Sequence, residues 1–158
     1  MTSGTFVKKM QDSMRLQQAH GEMAVRDTFH DAKVAEIDGP VKWLALKTLV
    51  ARSASEINQG LKSDVGLAYS EGGLDSFTLL NRLSERSVQA SFDSTNAVIS
   101  CHGGANGNFQ PHVEGNELAY SWQNAASSNE VGASFGFFGN EITIEKMGEL
   151  IIASVISL

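Results

Sequence analysis

Apolar positions along the chain change their period twice, and each change predicts a change of element. Phe6, Met10 and Met14 recur at steps of four, the spacing of one helical face. Residues 5–35 therefore read as helix, interrupted at His20-Gly21 and resuming from Met23 to Val34. The stripe is thin and charges surround it, which suits a helical arm that packs on its own domain or on a second subunit. Asp38-Gly39-Pro40 then reads as a start signal, with Pro40 near the first helical position. Trp43, Leu46, Val50, Ala54, Ile57 and Leu61 follow at steps of three and four and predict a helix over 40–61.

From residue 76 to 123 the period falls to two, the signature of half-buried strands. A turn at 93–96 sets Phe92 against Ala97, Ala90 against Ile99 and Val88 against Cys101. A turn around 103–107 sets Cys101 against Phe109, Ile99 against Pro111 and Ala97 against Val113. A two-residue turn at Gly115-Asn116 sets Val113 against Leu118, Pro111 against Tyr120 and Phe109 against Trp122. Each hairpin then gathers its apolar partners on one face, which a one-residue slip would invert. Residues 76–83 join in front as a strand, with Phe77 and Leu79 facing Phe92 and Ala90; Phe77, Leu80 and Leu83 also suit a short helix. The glycine- and serine-rich 66–76 is a connection with room for a strand at 66–69. Pro111 predicts a bulge or break, because proline cannot donate to a ladder.

The period returns to helical at the end. Ile144, Met147, Leu150, Ile151, Val155 and Leu158 form one face, with Thr143 or Asn140 as cap. Between lies the loop 123–141, with a candidate strand at 133–138. The expected architecture is a single α+β domain over 1–158. A helical arm, 1–36, precedes a core, 39–158. In the core an antiparallel β-meander of four to six strands is covered on one face by helices 40–61 and 143–158.

Composition narrows the function. At 42% hydrophobic and 19% charged, 158 residues suffice for one globular domain. Residues 1–62 hold nine Lys/Arg and seven Asp/Glu, whereas 63–158 hold three and eleven. The acidic second half disfavours a nucleic-acid surface, which needs clustered Lys/Arg. No stretch approaches the roughly eighteen apolar residues of a spanning helix, and the N-terminus lacks the apolar core of a secretory signal. With one cysteine there is no internal disulfide. A cytoplasmic protein is the expectation.

Ser100–His112 holds Cys101, His102 and His112 around a glycine run, and invites a metal or nucleophile reading. The proposed register opposes it. Cys101 and His102 point to opposite faces. His102 and His112 share a face but lie about 13 Å apart at ~3.3 Å per residue, too far for one zinc ion. His20 and His30, ten residues apart, are no helical metal pair. The glycines precede a strand rather than a helix, unlike a phosphate cradle. Cys101 reads as a small buried hydrophobe. No cofactor or metal is expected.

The polar sheet face is the remaining candidate. The proposed pairing aligns Gln89, Ser100, Gln110 and Ser121, with His112 in the next row and Glu114 and Glu117 flanking the last turn. No paired carboxylates converge with a histidine on this face, so acid–base catalysis has little support and no catalytic constellation is expected. A non-enzymatic binding or interaction module, self-associating as a homodimer or docking a protein partner, is the leading expectation. Its rival is an enzyme or small-molecule-binding domain that uses the polar face, with His112 as its titratable group and the Phe-rich loop 132–140 as a lid. A deep cleft containing His112 would favour the rival.

Overall fold

The structure, a computed structural model, describes residues 2–62, 64–125 and 141–156, without the side chains of residues 2–4 and 23–27. Its elements are α1 (Thr2–Asn58), β1 (Leu67–Glu71), β2 (Ser76–Asn81), β3 (Ser87–Asp93), β4 (Val98–Gly103), β5 (Gly107–Glu114), β6 (Glu117–Asn124), β7 (Glu141–Ile142) and α2 (Ile144–Ile156). The strands form one antiparallel sheet in sequence order. The class is α+β, as the change of period predicts. The chain divides into two units, Met1–Lys33 and Val34–Leu158. Among the described residues, no helix is long and apolar enough to cross a membrane.

The first unit is helical, and every described side chain in it, from Thr5 to Glu22 and from Thr28 to Lys33, is exposed.

The second unit holds the core. Phe77, Leu79, Val88, Ala90, Ile99, Phe109 and Trp122 project from one sheet face and are fully buried. Trp43, Leu46, Val50 and Ala54 of α1 and Met147, Leu150, Ile151 and Val155 of α2 join the same cluster. Trp43 stacks on Phe77 and Phe92, at centroid distances of 5.5 and 5.6 Å. Its indole nitrogen donates to the Leu74 carbonyl at 2.8 Å, so the ring is buried without an orphaned donor.

Three expected helix boundaries are corrected. Neither Gly21 nor Pro40 interrupts α1, which runs continuously past both. Glycine inside a helix costs only about 1 kcal/mol relative to alanine. Proline costs more, about 3 kcal/mol, because it removes an amide and crowds the preceding turn. Contacts to the sheet hold the chain helical there. The Asp38 carboxylate accepts from the Leu118 amide at 2.8 Å and pairs with Lys42. Gly39 lies so close to the sheet that a Cβ would sit 3.1 Å from the Ala97 methyl and 3.2 Å from the Phe92 ring. The helix also stops at Asn58 rather than residue 61. The Asn58 amide turns to β1 instead, donating to the Leu67 carbonyl and accepting its amide at 2.8 and 2.7 Å. Ile57 and Leu61 are accordingly exposed.

The hairpin register agrees with expectation in one place and differs by two residues in three. β5 pairs β6 as expected, with Phe109 opposite Trp122 and Val113 opposite Leu118. Elsewhere Phe92 faces Ile99, Cys101 faces Gly107 and Phe77 faces Ala90. Side chains alternate with period two, so a two-residue shift leaves every residue on its expected face. Local bonds select the turns. Asp93 accepts from the Thr95 amide and from the Asn96 side chain, and the Asn106 side chain brackets Gly103. Residues 76–81 are strand: Phe77 and Leu79 are buried, whereas Leu83 is exposed. The β4–β5 ladder ends at Phe109, so Pro111 meets only Tyr120 of β6. Thr143 caps α2 by accepting from the Lys146 amide. The candidate strand 133–138 and Leu158 lie outside the described residues.

Candidate functional site

The face of the sheet away from the helices carries all five expected site residues, but not in the expected rows. Gln89 lies opposite Thr78 and His102, and Ser100 opposite Ser91 and Asn108. Only Gln110 and Ser121 face each other as predicted. His112 lies opposite Ala119, in the next row. The two-residue shift of β4 on β5 also carries His102 further from His112. Ser100 is level with Asn108, which puts the histidines six residues apart along the sheet, or roughly 20 Å.

The expectation that no paired carboxylates converge with a histidine on this face is corrected: His112 meets two, because one of them arrives from a strand distant in sequence. Its Nε2 lies 2.6 Å from Glu141 Oε1 and 3.5 Å from Glu114 Oε1. Glu114 reaches it because residues two apart on β5 share a face. Glu141 comes from β7, two strands away, where it stands opposite Ser121. Ala119, opposite His112 on the intervening β6, carries only a methyl group. The three ligand-type atoms all lie within 4.8 Å of one another. Glu117, opposite Glu114, adds a third acid at the margin.

The group is exposed, with 44% of the His112 side chain open to water. The carboxylates nevertheless influence each other. Glu141, by hydrogen bond and by charge, raises the Glu114 carboxyl above its ordinary value. Hydrogen bonds from Glu114 and then His112 lower that of Glu141.

Cys101 lies on the opposite, helix-covered face and is buried. Burial pushes its thiol up to about 12, which keeps it protonated and unsuited to nucleophilic attack at neutral pH.

An open cleft of about 910 Å³ lies at the sheet edge. Val41, Leu44 and Leu49 of α1, Leu118 of β6, and Ile142 and Ile144 give it a largely apolar wall. Glu141 reaches its margin, but His112, Gln89, Ser100, Gln110 and Ser121 take no part in it. The apolar cleft and the polar cluster therefore adjoin at Glu141 and Ala119, with His112 outside the cleft. The Phe-rich loop expected as a lid, 132–140, lies outside the described residues.

The His112-x-Glu114 spacing on a strand was legible as two polar side chains sharing a face. Glu141 was not, because no local pattern links a two-residue strand to a histidine 29 residues earlier.

No family model matches the chain, and no curated protein or solved structure shows significant similarity to it.

Proposed function

We propose that this chain is a protein-interaction module that self-associates through the apolar side chains of the first part of α1. One observation carries this reading. Phe6, Val7, Met10 and Met14 share a helical face and are all exposed; Phe6 is 61% exposed and Met14 64%. Phe29, further along, is 70% exposed. A helix with no packed face is marginal in water. Burying each such side chain contributes about 1.5–3 kcal/mol, so a covering surface stabilises it strongly. A second copy fits as that surface. Residues 1–33 hold five Lys/Arg and four Asp/Glu, so two such helices associate without a large repulsive field. The acidic sheet half supports a protein partner over a nucleic acid, and a cytoplasmic setting accords with the single, buried cysteine.

Light scattering after size exclusion tests the reading. The full chain is expected to run as a dimer, and a Phe6→Glu/Met10→Glu/Met14→Glu variant as a monomer with an intact sheet. A monomeric full chain, or an unchanged mass in the variant, would refute it.

A second reading, a binding function at the polar sheet face, is favoured by the meeting of His112, Glu114 and Glu141.

A further inference from the structure

We propose that His112, Glu114 and Glu141 form a binding site for a divalent transition-metal ion of the zinc type, with coordination positions left open to solvent. The site is independent of self-association: it lies on the outer sheet face of the second unit and uses none of residues 1–33.

The donor set carries the argument. It is not a run of acids, but an imidazole nitrogen between two carboxylates from separate strands. Zinc takes histidine nitrogen and carboxylate oxygen at about 2.0–2.2 Å, so ligands on a tetrahedral ion stand roughly 3.4 Å apart. The 3.5 Å between His112 Nε2 and Glu114 Oε1 already suits such an ion. The 2.6 Å between His112 Nε2 and Glu141 Oε1 must open by roughly 0.8 Å to reach that spacing. Exposed side chains do this by small torsional changes, with no shift of the backbone.

Charge points the same way. Among the described residues, the ion pairs of Glu114 and Glu141 both go to His112, and no Lys or Arg joins them. Glu117 adds to the same negative field. A divalent ion relieves the repulsion between the carboxylates.

The imidazole sets the class of ion. Magnesium and calcium prefer all-oxygen shells, whereas histidine suits zinc and its first-row neighbours. Three protein ligands on an open face leave at least one position for water or for an anionic group of a partner.

Isothermal titration of the full chain with Zn2+, with Mg2+ as comparison and Co2+ absorption as a second signal, tests the proposal. One Zn2+ per chain is expected, with Mg2+ failing to compete and Co2+ giving visible bands. His112→Ala and Glu141→Gln should each weaken Zn2+ binding by roughly tenfold or more, since even outer-shell partners contribute that much. Both side chains are exposed, so circular dichroism should show the fold retained. His102→Ala should leave binding unchanged. Absence of stoichiometric Zn2+ binding to the full chain would overturn the proposal. So would binding that survives both His112→Ala and Glu141→Gln, or that is lost in His102→Ala.

Discussion

Cys101 shows how a single residue can be read from its neighbours alone. Alternation along 97–101 sets it on the apolar side of β4, and the structure buries it there. Its thiol, pushed up to about 12 by burial, lacks both access and thiolate character. Thiol-reactive reagents at pH 8 are therefore expected to label the native protein far more slowly than the urea-unfolded one. Equal rates would place Cys101 at the surface. His112 is the contrary case. Its face was legible, because a strand has only two. Its partners were not, because Glu141 arrives from a strand two places across the sheet, and a histidine's environment depends on who arrives.

At the scale of elements, the patterned segments were recognised and their edges were not. The stripe from Trp43 to Ala54 and that from Met147 to Val155 both face the core. Punctuation residues mark an element's edge only where no tertiary contact overrides them. Asp38-Gly39-Pro40 has the composition of a helix start, yet α1 passes through it. Pro40 is exposed, so its side chain contributes no packing to the core. Pro40→Ala should restore one backbone hydrogen bond and stabilise the protein by about 1–3 kcal/mol in urea unfolding. If Pro40 instead opened a new helix, proline would already be favourable there, and the substitution would be neutral or destabilising. The register differences have a related cause. Burial reports only odd against even position, so turn chemistry at Asp93 and Asn106, not the apolar pattern, chose between registers two residues apart.

At the scale of the whole molecule, stability belongs to the second unit. Among the described residues, every buried side chain of the core cluster lies at Val34 or beyond. A chain beginning at Val34 retains the Asp38–Leu118 bond, the Trp43 stack and both helical layers over the sheet. It should unfold cooperatively, with a urea midpoint close to that of the full chain under conditions where the full chain is monomeric. A large loss of stability there would show that residues 1–33 complete the core rather than serve association.

The sequence by itself determined the α+β class, the run of strands β2–β6 between helical segments, and the face on which each of their residues lies. These follow from periodicity, which is local: a period of two or of 3.6 is written in a few neighbouring residues. Tertiary structure decided the rest. It kept α1 helical through Pro40, where Asp38 and Gly39 meet the sheet. It also brought Glu141 over Ala119 to His112. Each of these depends on a contact between residues distant in sequence, whose energy no local pattern encodes.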